Sequence, residues 1–512
     1  MSSYSQYINL FVCIQIQALK KGSTMTLLDN IIKNQSYKLT ENGAVALNTT
    51  GTSLLDLFAV SGSLRHRSDE DITDMFLKAM AEDKLLATKL AFYTRDVRGG
   101  LGERRTSRVM FKALAKYYPD IIIKNISLLP EYGRFDDLFS LFDSAAESKA
   151  IEEIARVLKV DLSNMLSGKP VSLLAKWLPS VNTSSYKTRK LGYKLSKALN
   201  MSLKEYRKTL SSLRAYLNVT EVRMSNKDYS LIKYEEVPSY AMHNYSEAFK
   251  RNDTDRFNKY VDSLNKGEST INASVLYPYD IVGKFIKNGY LIKPDNMDIL
   301  EAQWKALPNY VTGDNKYLVM ADVSGSMAGR PICTSIGLAL YFAERNSGPF
   351  KNKFLTFSQY PYLKEVHGDN LFEKISYINN ADWDMNTNLE AAFDLILSTA
   401  VEYNTKPSDM PTSIVVISDM EIDACSDIHK SCFYDQTKER FEANGYQIPN
   451  IVFWDVDARS NTFDADKDAT GVQLASGQSA SVFKSLISGE DLTPYDYMLS
   501  VLNTKRYEQI FV

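Results

Sequence analysis

Residues 317–328 read YLVMADVSGSMA: five apolar positions, then Asp322, then Ser324 and Ser326 around Gly325. A short apolar run without polar alternation reads as a strand covered on both faces, as in a parallel sheet. Three more such runs follow, NKFLTFS (352–358), SIVVISDM (413–420) and NIVFWDV (450–456). Helical stretches lie between and after them: PICTSIGLALYFAERN (331–346), LEAAFDLILSTAVEYN (389–404), DQTKERFEANG (435–445) and PYDYMLSVLNTKRYEQI (494–510). Strands alternating with helices imply right-handed crossovers and a doubly wound, mostly parallel sheet.

Upstream the period changes. DMFLKAMAEDKLLATKLAFYTRD (74–96), RRTSRVMFKALAKYY (104–118), FDDLFSLFDSAAE (135–147), AIEEIARVLKVDLSNML (150–166), TRKLGYKLSKAL (188–199) and LKEYRKTLSSLRAYL (203–217) carry apolar residues at three and four spacing. These are amphipathic helices, and short connections suggest antiparallel pairs stacked as a HEAT-like α-solenoid. DTDRFNKYVDSLNKG (253–267) and PYDIVGKFIKNG (278–289) also read as helical. The expected fold class is α plus α/β. It divides into an extension (1–24), an all-helical domain (25–312) and an α/β domain (313–512).

With 512 residues, 44% hydrophobic and 24% charged, the chain has the composition of a folded globular protein of more than one domain. A net charge of -2 argues against nucleic-acid binding by bulk electrostatics and leaves local basic faces to be sought. The four cysteines, Cys13, Cys333, Cys425 and Cys432, are too scattered for a disulfide framework, so a reducing, cytoplasmic setting is expected. INLFVCIQIQAL (8–19) is too short and too polar to span a membrane, and no membrane partner is expected.

In an open α/β sheet, ligands bind beyond the carboxyl ends of the strands. Asp322, Ser324 and Ser326 alternate at such an end, where a turn can aim three oxygens at one point. A carboxylate with two neutral hydroxyls suits a hard cation such as Mg²⁺, or Mn²⁺ or Ca²⁺. Thr387, just before a helix, and Asp419, at another strand end, are candidates to complete the shell. The alternative is a strand-terminating turn in which Asp322 serves nearby amides.

These five positions, Asp322, Ser324, Ser326, Thr387 and Asp419, resemble in order and placement the metal-ion-dependent adhesion site of von Willebrand factor A domains. The resemblance implies that Ser324, Ser326 and Thr387 are the nearer ligands and that Asp322 and Asp419 act through water. It also implies a non-enzymatic protein whose metal meets an acidic group of a partner protein. A helical half before such a domain is similar to the Ro ribonucleoprotein family, whose TROVE module binds small structured RNAs. FYTRDVRGGLGERR, LPEYGRFDDL, KWLPSVNTSS, WDMNTNLEAAFDLIL and VVISDME are more similar still to a family of plant and giant-virus proteins grouped as domain of unknown function 2828. A viral chain of that kind would act in the host cytoplasm or the virion.

An RNA surface needs cations for phosphates and aromatics for bases. Lys187, Arg189, Lys190, Lys194, Lys197, Lys204, Arg207, Lys208 and Arg214, interleaved with Tyr186, Tyr193 and Tyr206, supply both; the plainer reading is a solvated helical face. TRDVRGGLGERRTSR (94–108) is either a phosphate-binding turn or an interhelical turn whose arginines pair with Asp96 and Glu103. None of His66, His243, His367 and His429 lies in a catalytic motif. Cys425, His429 and Cys432 lack a fourth zinc ligand unless Asp423 or Asp427 supplies it. Asp322, Asp419, Glu421 and Asp423 are also the carboxylates that a metal-dependent hydrolase, the alternative to a binding protein, would need to converge; the plainer reading is that Glu421 and Asp423 follow a strand end and rim the pocket.

Overall fold

The computed structural model describes residues 37–39, 45–311, 316–356, 358, 360–381, 389–420, 430–479, 482 and 492–512. They form two compact units that interleave along the chain. One comprises the described residues within Met1–Asp83, Tyr277–Pro294 and Leu307–Lys505, and the other Lys84–Leu276, Asp295–Ala306 and Arg506–Val512.

The first unit is built on a six-stranded sheet. Two short antiparallel pairs precede it in the chain, β1 (Tyr37–Leu39) with β2 (Val45–Leu47), and β3 (Ile286–Lys287) with β4 (Tyr290–Leu291). The sheet strands are β5 (Tyr317–Ala321), β6 (Lys353–Thr356), β7 (Leu363–Glu365), β8 (Ser413–Ser418), β9 (Asn450–Asp455) and β10 (Val472–Ser476). Their order is β10-β9-β8-β5-β6-β7, all parallel except the edge pair β6 and β7. Every residue of β5, β8, β9 and β10 is buried, which is why the apolar runs show no alternation. Strand order reverses between β5 and β8, the topological switch point of a doubly wound sheet.

Helix Arg330–Arg345 packs on β5, β6 and β8, and helix Pro278–Val282 lies against it. Gly337 lets that contact close, because a Cβ there would sit 3.1 Å from Pro278. Helices Ser53–Val60 and Pro494–Leu502 pack on β10. The first is capped by Thr52, whose hydroxyl accepts from the Leu55 amide. The turn after it brings Gly62 against Gly477, and the Gly62 amide donates to Ser476 Oγ at 3.0 Å.

The second unit is helical. Helices Lys84–Arg95 and Arg104–Tyr117 pack together, as do Ser239–Asn252 and Thr254–Asn265. Tyr234, Phe249, Phe257 and Tyr260 form the aromatic centre of one part of its core. The chain's last residues complete the unit: Arg506 pairs with the fully buried Asp96, Tyr507 stacks on Tyr132 at 5.7 Å, and the Phe511 amide donates to Asn125 at 3.0 Å.

The structure departs from the expected elements at three places. The stretch 74–96 is not one helix: Asp69–Glu82 and Lys84–Arg95 meet at Asp83, whose extended backbone (φ -148°) breaks the hydrogen-bond ladder. FDDLFSL (135–141) is a 3₁₀ turn, in which the Asp137 carboxylate accepts from the Arg134 amide. PYDIVGKFIKNG is helical only to Val282, after which the β3–β4 hairpin turns through Asn288 and Gly289, both at positive φ. The region before the sheet is thus mostly helical rather than wholly so.

Candidate functional site

The candidate site grows from the ends of β5 and β8. The Asp322 amide extends the ladder by donating to Ile417 O at 2.9 Å, and the chain then leaves the sheet. Asp322 Oδ1 accepts from the Ser324 amide at 2.8 Å, folding the turn so that Ser324 Oγ and Ser326 Oγ lie 2.9 Å apart. Asp322 Oδ2 accepts from Ser418 Oγ, also at 2.8 Å. Both carboxylate oxygens are therefore engaged, and a carboxylate so fixed aligns the two hydroxyls beside it.

Asp419 follows Ser418 and is 3% exposed. Ser418 Oγ lies 3.5 Å from Asp419 Oδ1 and accepts from the Met420 amide at 3.1 Å. Met420 is buried with φ at +59°, a left-handed conformation that costs a residue with a Cβ on the order of 1 kcal/mol. That strained turn keeps Ser418 and Asp419 at the strand end.

Sequence reading did not single out a third arm. Asp455 ends β9, and its Oδ1 accepts from the Asp457 amide at 2.9 Å. Arg459, two residues on, places Nη2 3.5 Å from Asp419 Oδ2 and Nε 3.5 Å from Asp457 Oδ2, and donates to Ser326 O. Asp457 also lies 3.7 Å from His66 Nε2. The available signal was the shared strand ending: YLVMAD, VVISD and NIVFWD each close an apolar run with aspartate.

Burial dominates the electrostatics. It pushes the Asp322 carboxyl up to about 6 against the pull of the Ser324 hydrogen bonds, with the Asp419 charge adding to the rise. Burial likewise holds Asp455 well above the usual carboxylate range, helped by Asp419 and Asp457. A divalent cation would offset this excess of carboxylates, and the donors nearest the turn are all oxygens, the chemistry a hard cation takes. Among the described residues, no group of three or more His, Cys, Asp or Glu side chains has the arrangement of a metal cluster. Asp322 and Asp419 are the candidate's two carboxylates, and its remaining donors are hydroxyls. Thr387, Glu421, Asp423, Cys425 and His429 lie outside the described residues, as does the Cys432 side chain.

The basic stretch occupies helices Tyr186–Ala198 and Leu203–Tyr216. Lys187, Lys190, Lys197, Lys204, Arg207 and Lys208 are exposed, as are Tyr186 and Tyr193. The others serve the fold. Arg214 donates to Ala175 O, Leu178 O and Ser180 Oγ, Tyr206 is buried with its hydroxyl on Pro179 O, and Lys194 pairs with Asp143 and Glu147. Arg189 is half-buried and donates to Thr183 O at 3.3 Å. In the arginine-rich turn, Arg95 pairs with Asp137 at 2.7 Å, and Arg108 pairs with Asp136 and Asp137. Asp96, the neighbour expected as a partner there, is held by Arg506 instead.

Among the described residues no helix is long and apolar enough to cross a membrane. Residues 316–507 match a domain of unknown function, DUF7788. The chain is 29% identical over 519 residues to the uncharacterized protein L728 of Acanthamoeba polyphaga mimivirus, an alignment covering 93% of this chain and 89% of that protein. Residues 40–165 and 184–313, half of the chain, match the domain of unknown function DUF2828, and the chain belongs to that family.

Proposed function

We propose that the chain is a non-enzymatic binding protein whose α/β unit resembles a von Willebrand A domain and captures an acidic group of a partner protein at a metal-ion-dependent adhesion site. Asp322, Ser324, Ser326 and Asp419 would hold Mg²⁺, or Mn²⁺ or Ca²⁺ in its place, with Thr387 joining them by the resemblance. The single observation that carries this reading is the Asp322–Ser324–Ser326 turn, its hydroxyls 2.9 Å apart, at the switch point beside Asp419. A bound cation there supplies Lewis-acid attraction for a carboxylate. Asp322 and Ser418 orient the hydroxyls, and the strained Met420 turn holds the Asp419 carboxylate in place.

The test is calorimetric titration of the full chain with Mg²⁺. One site is expected, lost in Ser324→Ala/Ser326→Ala and in Asp322→Asn. Heats unchanged by these substitutions would sink the assignment. Phosphoester turnover that requires Mg²⁺ and vanishes in Asp322→Asn would replace the binding protein by a metal-dependent hydrolase.

A second reading concerns the helical unit, which we propose as an RNA-binding scaffold resembling Ro. The exposed Lys187, Lys190, Lys197, Arg207 and Lys208 on adjacent helices support it, with Tyr186 and Tyr193 beside them. Arg189, Lys194 and Arg214 belong to the same stretch and would shape that surface through the protein contacts they make. RNA retention that falls steeply with salt is expected. Partner capture that needs the metal site and ignores RNA would favour a protein adaptor.

A further inference from the structure

Arg459 is the feature of the candidate metal site that hydroxyl-and-carboxylate chemistry does not account for. The segment 457–461 that carries it is pinned from three directions. The Ala458 amide donates to Ser63 O at 3.2 Å, Arg67 Nη1 donates to Arg459 O at 3.4 Å and to Asn461 Oδ1 at 3.0 Å, and the Asp457 amide is tied to Asp455. The guanidinium is thereby carried to the Asp-x-Ser-x-Ser turn, where it donates to Ser326 O and faces Asp419 Oδ2 at 3.5 Å. Its side chain remains 32% exposed, so it is reachable from solvent.

A guanidinium facing the carboxylate that a cation would use is a competing positive charge. Asp457 Oδ2, 3.5 Å from Arg459 Nε, offsets part of that charge, but the guanidinium and a cation that both face Asp419 in a partly desolvated crevice still repel, and an incoming anion relieves both. A guanidinium also carries five N–H donors in a fixed plane, so it can meet one oxygen of a carboxylate while keeping its bond to Ser326 O. Resting on the metal-site reading above, we infer that Arg459 is a specificity-determining residue that couples the two ligands. It weakens cation binding alone, and it receives the second oxygen of a partner's carboxylate, so that cation and acidic ligand bind with positive cooperativity. The ligand class is a carboxylate with both oxygens free, such as an Asp or Glu side chain or a chain terminus.

The experiment titrates Mn²⁺ into the full chain, read by the spin-resonance signal of free Mn²⁺, with and without acetate as the carboxylate probe. In the unmutated chain acetate is expected to tighten Mn²⁺ binding about tenfold, within the usual range of coupling between sites. In Arg459→Gln, Mn²⁺ alone should bind several-fold more tightly than in the unmutated chain, with most of the acetate effect gone. Arg459→Lys keeps the charge without the planar set of donors. It should bind Mn²⁺ alone as the unmutated chain does while losing part of the acetate effect, and it decides the matter if the glutamine variant fails to fold. Equal Mn²⁺ affinity and equal acetate response in all three chains would overturn the role of Arg459 and leave the metal site standing. Absence of Mn²⁺ binding in every chain, with acetate present, would overturn both.

Discussion

Ser418 Oγ, at the last residue of β8, donates to Oδ2 of Asp322, the first residue beyond β5, at 2.8 Å. The two are 96 positions apart, yet this bond joins the halves of the candidate site. Ser418→Ala leaves a buried carboxylate oxygen without that donor. A stability loss of about 1–3 kcal/mol is expected by urea unfolding, together with several-fold weaker Mg²⁺ binding. Unchanged Mg²⁺ affinity would mean that Asp322 needs no orientation from β8.

The pH dependence follows from the direction of the carboxyl shifts. Burial raises the Asp322 carboxyl from its ordinary value of 3.8 to about 6, and Asp455 moves the same way. The folded state therefore holds protons that the unfolded chain releases. This contribution is full below the ordinary carboxylate range and is lost as pH rises through about 6 at Asp322. With chelator present, unfolding free energy should fall as pH rises from about 4 to about 6, by at most about 3 kcal/mol for Asp322, and the melting temperature should fall with it. Excess Mg²⁺ should flatten that fall, because a bound cation favours the ionised carboxylates. A chelated protein whose melting point climbs steadily across that interval would contradict the assignment.

Asp96 is fully buried and takes two hydrogen bonds from Arg506 and one from the Tyr507 hydroxyl. Arg506→Ala removes the cation and strands the carboxylate. The helical unit should lose about 3–5 kcal/mol, the cost of breaking a buried pair from one side. Hydrogen exchange should speed up first in Lys84–Arg95, the helix that ends beside Asp96. Exchange left unaltered in that helix would show the terminal residues to be dispensable.

Gly62 faces the backbone of Gly477, and a Cβ on Gly62 would lie 2.6 Å from it. Gly62→Ala must push the turn away from the end of β10 and should cost about 1–3 kcal/mol. The shift should be visible in the near-ultraviolet signal of Trp454, whose Nε1 donates to Gly477 O. A variant with unmutated stability and spectrum would mean that the turn yields freely.

Charge reversal separates the two kinds of basic residue on the paired helices. Lys187, Lys190, Lys197, Arg207 and Lys208 changed together to Glu should leave stability nearly unaltered and abolish salt-sensitive RNA retention. Arg214→Ala should instead cost about 2–3 kcal/mol of stability, because three acceptors lose their donor. RNA retention by the reversed variant, measured by filter binding across a salt series, would dismiss that face.

The strands that could be read were those buried on both sides, since two-sided burial writes an unbroken apolar run. β10 escaped notice because VQLAS carries Gln473, buried at 2% in an otherwise apolar strand. β7 escaped because a three-residue edge strand, mostly exposed, has no core face to mark it. Asp322, Ser324 and Ser326 were legible because their geometry is local: alternation along one turn brings them together whatever the rest of the chain does. Tyr206 and Arg214 looked like surface residues because helical spacing alone does not tell which turn of a basic helix faces its neighbour.

Local composition and period determined most of the element types, the change from helices to a buried parallel sheet, and the Asp-x-Ser-x-Ser turn, for each depends on residues within a few positions of one another. Tertiary structure decided that Ser418, Asp455, Asp457 and Arg459 join that turn and that the chain's final residues complete the helical unit. Strand order β10-β9-β8-β5-β6-β7 sets which strand ends are neighbours. That order comes from packing helices against both faces of a twisted sheet, a balance of contacts between distant segments that no single stretch of sequence contains.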